Sequence, residues 1–306
     1  MTSALKSATP SIDAVLATID RPLRAWSLIV TVFGDAVAPR GGSIWLGNLL
    51  DILGTLNVDA GVVRTALSRL VADGWVDRER LGRNSFYRLT PKAQGLSEAA
   101  AARIYQSQAP PSAFTGWTLA VLPDARASGA HNDARTELRT VVAQHGVGML
   151  SASTAIWPQT NEHDALTTEA HQLSALTFSV APQSLDIDRA ILADAWPLDI
   201  MRQQFIPLQK TLDAITRAQS TSSNLDALAL RVLLIHEWRR IILRTPNLPS
   251  DLLPDDWPLI PAQRSVADLY AKLSPAAEIW LDTNGRHSRG SLTPQAHRSV
   301  NRFSAI

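Results

Sequence analysis

The sequence contains no cysteine, no long apolar run and no large excess of charge of either sign. Without cysteine, disulfides, thiolate metal sites and cysteine nucleophiles are excluded. No apolar run approaches the roughly 20 residues of a membrane-spanning helix, so we expect a cytoplasmic protein with no membrane partner. Because the formal net charge is only +1, a polyanionic partner would have to be bound by a local patch of cations.

The chain is long and apolar enough for more than one core. It has 306 residues, of which 45% are hydrophobic and 19% charged, as in typical globular proteins of several domains. Asp13 and Asp20 interrupt the start of the chain, which therefore does not resemble an export signal, and Pro110, Pro111 and Gly116 mark a linker. We predict five segments: a flexible arm (1–20), a first domain (21–106), a middle domain (107–185), a helical C-terminal domain (186–284) and a disordered polar tail (285–306).

The hydrophobic patterns predict an α+β protein. In the middle domain, "WTLAVLP", "VGMLSASTAIW" and "ALTFSVA" are typical of strands and "NDARTELRTVVAQHG" of a helix, which together indicate a small α+β sandwich. From Ile187 onwards the pattern is helical. The strongest helix is predicted in "NLDALALRVLLIHEWRRIILR".

The first domain begins with three predicted helices. Apolar residues recur at helical spacing from Trp26 to Phe33. A second helix is predicted in "GGSIWLGNLLDILGTLNV", with Ser43 as its N-cap and an end near Gly54. A third would begin after Asp59, a favourable N-cap, and end at Gly74.

The third helix has one apolar face and one small, basic face. At about 100° per residue, Val63, Ala66, Leu67 and Leu70 face the other helices. No carboxylate interrupts the opposite face between Asp59 and Asp73. Such a face can lie in a major groove, where Arg, Ser and Thr bind base edges or phosphates. The residues predicted to contact the groove are Arg64, Thr65, Ser68 and Arg69.

A predicted hairpin follows the third helix directly. "WVDRERLGRNSFYRLT" alternates as two strands joined near Gly82. A hairpin after such a helix indicates a winged helix-turn-helix, whose hairpin tip contacts DNA backbone or minor groove. Arg80, Arg83 and Asn84 are the residues predicted to do so. The alternative is a protein-interaction domain whose arginines are merely solvated.

Three stretches of the first domain, "LIVTVFGDAVAPRGGSIWLGNLL", "VVRTALSRLVADGWV" and "GRNSFYRLT", closely resemble the PaaX family of phenylacetate-degradation repressors. "LLIHEWRRIILRTPNLPSDLLPDDWP" resembles the family's C-terminal stretch. The resemblance spans about residues 20–283. It implies an N-terminal winged helix, a ferredoxin-like (Cas2-like) middle domain and a helical C-terminal domain. It also implies a homodimeric repressor that binds a double-stranded DNA operator and is released by phenylacetyl-CoA or a related aryl-CoA. The chain departs from the family at Trp238, where Tyr is usual, and in its polar tail.

An aryl-CoA effector needs cations at one end of its site and aromatic or aliphatic walls at the other. The motif "IHEWRR" offers such a set, and the candidate effector residues are His236, Trp238, Arg239 and Arg240. The alternative is structural, because the same helix has a buried apolar stripe and an internal Arg–Glu pair could hold the domain or the dimer together.

No motif indicates an enzyme. The chain has no phosphate-binding loop, no nucleophile motif and no metal-ligand spacing, so we expect no cofactor, metal or catalytic residue. The resemblance of the middle domain to a nuclease fold leaves one alternative, a metal-dependent nuclease using Asp124. A regulator of the same architecture that senses another ligand, or that activates transcription, is the other alternative.

Overall fold

The computed structural model describes residues 12–105, 114–121, 140, 146–159, 164–172, 175–219, 223–293 and 302–303. Its helices are α1 (Ile12–Leu16), α2 (Ala25–Val32), α3 (Leu46–Thr55), α4 (Ala60–Ala72), α5 (Pro91–Tyr105), α6 (Asp164–Gln172), α7 (Leu185–Ala195), α8 (Leu198–Gln203), α9 (Phe205–Ala218), α10 (Asn224–Ile242) and α11 (Leu259–Asn284). The strands are β1 (Ser43–Trp45), β2 (Val76–Leu81), β3 (Asn84–Leu89), β4 (Trp117–Val121), β5 (Gly148–Ser151), β6 (Thr154–Pro158), β7 (Leu176–Val180), β8 (Arg286–His287) and β9 (Gly290–Ser291).

These elements belong to two compact units. The first comprises residues 1–107, 205–243 and 259–306, and the second comprises 108–204 and 244–258. The predicted helical C-terminal domain is thus distributed over both, since α7 and α8 belong to the second unit and α9, α10 and α11 to the first. No helix within the described ranges is long and apolar enough to cross a bilayer.

The start of the first unit has the topology of a winged helix-turn-helix. Helices α2, α3 and α4 pack around a core, and the antiparallel sheet has the order β1-β3-β2. Leu28, Leu49 and Leu67 are fully buried at the centre of this core. The helix α2 continues as a π-helical turn, Phe33–Val37, which carries Asp35 into the interior.

The predicted N-cap at Ser43 is wrong. Ser43 lies in β1, opposite Arg88 of β3, and the helix begins three residues later at Leu46. Ile44 and Trp45 suit a strand because branched and aromatic side chains pack well on a pleated surface. Pairing with β3, which is distant in sequence, therefore prevails over the local preference of serine for a helix start.

The long helix α10 is the centre of the first unit. It is buried on nearly every side and packs against α2, α3, α5, α9 and α11. A helix with apolar residues on most of its faces belongs in the interior. Its start is held by a capping box between Ser223 and Asp226.

The predicted flexible arm and the predicted disordered tail both contain ordered residues, so these two predictions need correction. In the arm, Val15 of α1 is fully buried and the Thr18 hydroxyl bonds that of Thr211 at 3.0 Å. In the tail, β8 and β9 form a hairpin, and Leu292 and Phe303 are buried. A few apolar residues at the right positions anchor these polar segments, and bulk composition does not reveal them.

The second unit contains a four-stranded antiparallel sheet of order β5-β6-β4-β7. With α6 between β6 and β7, the strand order is that of the expected ferredoxin-like fold. The stretch "VGMLSASTAIW" forms two strands, β5 and β6, where one was predicted. The helix predicted over residues 132–146 lies almost entirely outside the described residues.

Candidate nucleic-acid interface

Both ends of α4 are fixed by the residues predicted to cap it. The Asp59 carboxylate accepts hydrogen bonds from the backbone amides of Gly61 at 2.7 Å and Val62 at 3.3 Å. At the other end Gly74 has a φ of +69°, which L side chains rarely adopt. The Thr90 hydroxyl, just after the hairpin, donates to the Gly74 carbonyl at 2.8 Å. These contacts hold helix and hairpin in a defined relation.

The two faces of α4 are divided as the periodicity predicts. Val63, Ala66, Leu67 and Leu70 are buried in the core. The Thr65 and Ser68 hydroxyls donate back to the carbonyls of Gly61 and Arg64, at 2.9 and 3.0 Å, so their oxygens remain free to accept a bond from outside. The exposed face carries Arg64, Thr65, Ser68 and Arg69.

The hairpin β2–β3, which we call the wing, ends in a two-residue turn. Leu81 pairs with Asn84, and Gly82 has a φ of +58°. Arg78 is used within the wing, where its Nη2 donates to the Ser85 hydroxyl at 2.9 Å. Arg80, Arg83 and Asn84 are exposed.

The cations of this surface are not neutralised by carboxylates of the described residues. Among the described residues, Arg64, Arg69, Arg80 and Arg83 make no ion pair. Four unpaired guanidinium groups on one helix and one wing are available to an anionic partner.

A groove beside α4 contains two residues that the sequence did not single out. It has a volume of about 1070 Å³, and Arg24, Trp26 and Arg69 are among its lining residues. Trp26 begins the apolar pattern of the first predicted helix but is 47% exposed, because it lies in the first turn of α2, at the margin of the buried stripe. A basic residue directly before the predicted start of a helix was the available sequence signal for Arg24.

The four candidate effector residues lie on α10, and all four make hydrogen bonds within the protein. His236 is buried with its Nδ1 3.1 Å from the Thr31 hydroxyl. Burial, with the nearby charges of Arg239, Arg21 and Arg240, lowers the pKa of His236 to about 3. Trp238 is fully buried, and its indole N–H donates to the Ile104 carbonyl at 2.9 Å.

The charged members of this cluster differ in their surroundings. Arg240 donates to Glu237 at 3.2 Å, and Glu237 also accepts two bonds from Arg21, at 2.6 and 2.8 Å. Arg239 donates to the Ser27 carbonyl and the Thr31 hydroxyl, at 3.2 and 3.0 Å. No carboxylate in the described part of the chain pairs with Arg239, and burial lowers its pKa. Arg239 is therefore the cluster residue whose guanidinium can donate further hydrogen bonds to a ligand.

Arg239 lines a cavity of about 80 Å³ inside the first unit. The walls come from α2, α5 and α10 and are mainly apolar, including Val30, Ala100, Ile104 and Ile235. Trp75, directly before β2, and Leu89, the last residue of β3, also line it. A small apolar group with an acceptor atom would fit the chemistry of this cavity.

A buried ionic network joins the π-helical turn after α2 to helices α10 and α11. The Arg231 Nε donates to Asp35 at 3.0 Å and its Nη1 donates to Glu278 at 2.5 Å, while Arg40 also bonds Glu278. The hydroxyls of Tyr105 and Tyr270 donate to the same Asp35 oxygen, at 2.7 and 3.0 Å. Burial and then the Asp35 charge raise the pKa of both tyrosines.

The described residues contain no group of three or more His, Asp or Glu side chains placed to hold a metal ion. Asp124, the candidate for the nuclease alternative, lies outside the described residues.

Comparison with known proteins gives two family matches and two informative relatives. A model described as "PaaX-like protein" matches residues 24–93, and one described as "PaaX-like protein C-terminal domain" matches residues 196–283. The chain is 30% identical to the transcriptional repressor PaaX of Escherichia coli (strain K12) over 295 residues, which are 93% of this chain and 92% of the relative. It is similar in fold, with a TM-score of 0.57 and 17% identity, to the solved structure of an uncharacterized protein from Mycobacterium tuberculosis, over 83% of this chain and 97% of that one.

Proposed function

Because the chain belongs to the PaaX-like protein family, we propose that it is a DNA-binding transcriptional repressor of phenylacetate-type catabolic genes and not an enzyme. The observation that carries the proposal is the exposed face of α4, with four arginines on α4 and the wing that make no ion pair with any described residue. A repressor acts where the chromosome is, so we propose a cytoplasmic location.

The proposed mode of binding places α4 in the major groove. A helix with its side chains is about 10–12 Å across, and the major groove is about 12 Å wide. The small Thr65 and Ser68 allow a close approach, and Arg64 and Arg69 reach guanine edges or phosphates. Arg80, Arg83 and Asn84 of the wing contact the flanking backbone or minor groove.

We propose that the protein binds its operator as a homodimer. Residues 59–88 contain six arginines against four carboxylates, so one copy offers only a small net charge to the phosphates. Two copies related by a two-fold axis would bind half-sites about 34–36 Å apart.

The proposed effector is an aryl-CoA thioester such as phenylacetyl-CoA. The cavity lined by Arg239 supports this proposal, because its apolar walls suit a small aryl group and the guanidinium suits the thioester carbonyl. His236, Trp238 and Arg240 would then hold the helix that presents Arg239. A regulator with a different ligand, or an activator, has the same DNA-binding surface and is distinguished by the effect of phenylacetyl-CoA on DNA binding.

The test of the DNA-binding surface begins with selection of an operator from a pool of random duplexes. Arg64→Ala should weaken binding to the selected operator by about 1–3 kcal/mol, as expected for loss of a base contact. Arg83→Ala should weaken binding to all sequences alike and reduce the salt slope by about 1. Arg264→Ala, an exposed arginine on α11, is the matched control and should change neither. Unchanged binding in both test variants, or failure to select any sequence, would refute the proposal.

A further inference from the structure

The C-terminal hairpin β8–β9 is held firmly against the helix-turn-helix. Asn48 of α3 is buried, and its side-chain N–H donates to the Asn284 carbonyl at 3.0 Å. The Asn48 side-chain oxygen accepts from the Arg286 amide at 2.9 Å. Leu292 is buried, and its amide donates to the Gly285 carbonyl at 3.0 Å across the base of the hairpin. These contacts give the hairpin one defined position beside α3.

That position is next to the wing. The hairpin and the wing sheet share an open concavity of about 680 Å³, and the hairpin residues that line it are Arg286, His287, Ser288, Gly290 and Ser291. Leu81 and Asn84, which flank the tip of the wing, line it together with Trp45 and Phe86. The hairpin therefore borders the part of the wing that the proposed function places on the DNA backbone.

The hairpin presents cations without any acid. The stretch "NGRHSRGSLT", residues 284–293, contains Arg286, His287 and Arg289 and no carboxylate. Both arginines are exposed, and neither makes an ion pair within the described ranges. The Arg289 amide donates to Nδ1 of His287 at 2.9 Å, so the neutral ring carries its hydrogen on Nε2, where it can be donated outward.

We propose that the hairpin β8–β9 is a second phosphate-contacting element, which extends the wing along duplex DNA through Arg286 and Arg289. The inference rests on the proposed function and adds to it a part of the surface beyond α4 and the wing. Exposed guanidinium groups contribute little to folding when they have no partner. Beside a bound duplex they would each release condensed counterions by neutralising a phosphate. The hydrogen bonds of the buried Asn48 side chain explain how this polar hairpin is held in one position beside the wing.

The experiment measures the salt dependence of binding to the selected operator. In Arg286→Ala/Arg289→Ala the slope of log K against log salt should fall by about 1.8 per bound chain, since each phosphate contact contributes about 0.9. The factor by which the binding constant falls between 50 and 200 mM salt should then be about twelvefold smaller per bound chain. In hydroxyl-radical footprinting, the double alanine variant should no longer protect the nucleotides that lie beyond those protected by the wing.

Two further double variants serve as controls. Arg286→Lys/Arg289→Lys keeps the charge and should keep most of the slope. Arg264→Ala/Lys272→Ala removes two exposed cations from α11, where Arg264 lies about 30 Å along the helix from Asn284, and should leave the slope unchanged. Thermal melting of each variant checks that the fold is retained.

The outcomes separate this inference from the proposed function. If the wild-type protein binds its selected operator but the alanine pair keeps the full slope and footprint, the hairpin does not contact DNA and the repressor proposal stands. The inference is also overturned if the double lysine variant loses as much of the salt slope as the double alanine variant. The same holds if Arg264→Ala/Lys272→Ala loses as much of the slope. If the wild-type protein binds no duplex, the proposed function itself fails.

Discussion

Replacing Asp35 by Asn should be among the most destabilising isosteric changes in the chain. Asp35 is 2% exposed and accepts bonds from Arg231, Tyr105 and Tyr270. The substitution removes the charge that faces Arg231 and replaces one acceptor atom by an N–H group. Glu278 remains bonded to Arg231, but it is shared with Arg40, whose other carboxylate partner, Asp282, is half exposed.

The expected cost is about 3–5 kcal/mol, the usual result of removing one partner from a buried ion pair. A domain of this size loses about 2–4 °C in melting temperature per kcal/mol, so the midpoint should fall by roughly 6–20 °C. Urea and thermal unfolding followed by circular dichroism at the helical band measure both quantities. Asp268→Asn, the same chemical change at an exposed position of α11, should cost no more than about 0.5 kcal/mol.

The reasoning is refuted if the two variants melt alike. That result would mean that Arg231 and Glu278 satisfy each other fully and that the Asp35 charge contributes nothing to the fold. A loss confined to DNA binding, with an unchanged melting curve, would equally contradict a structural role.

Two other predictions concern α10 and the cavity. Folded His236 stays neutral down to its pKa of about 3, whereas the same side chain in the unfolded protein takes up its proton near pH 6.5. The stability that His236 contributes is therefore complete above pH 6.5. It should fall by about 2 kcal/mol between pH 6.5 and about 5. Urea unfolding across this range should show the loss, and His236→Asn should flatten it; an equally steep loss in the variant would contradict the assignment. The substitution Ala100→Leu fills the cavity and should abolish the release of DNA by phenylacetyl-CoA in a gel-shift assay. The control Ala99→Leu, on the exposed side of α5, should not affect this release. If phenylacetyl-CoA still releases DNA from the Ala100→Leu protein, the cavity is not the effector site.

The winged helix-turn-helix was accessible from the sequence because its signals are local. Asp59 and Gly74 bracket α4, and both have the cap geometry that their residue types favour. Two short runs bounded by apolar residues, "VDRERL" and "NSFYRL", on either side of Gly82 are enough to indicate the wing. In each case the residues that determine the structure lie within a few positions of one another.

Where the structure differs, contacts distant in sequence are responsible. The strand β1 has only three residues, too few for an alternation, and it forms because β3 lies beside it. The cluster on α10 was recognised, but its partners Arg21 and Thr31 lie more than 200 residues away in sequence, so the pattern alone could not show which side chains were already engaged. The ordered hairpin β8–β9 depends on Asn48 in the same way.

The Asp35–Arg231 pair also limits how this protein could be re-engineered. A chimera that grafts residues 21–106 onto an unrelated sensor would leave Asp35 without its cation and bare the sides of α2, α3 and α5 that α10 covers. Such a graft would bring an uncompensated carboxylate and an aggregation-prone surface into its new host. The smallest transplantable piece therefore includes α10 and α11 along with the winged helix.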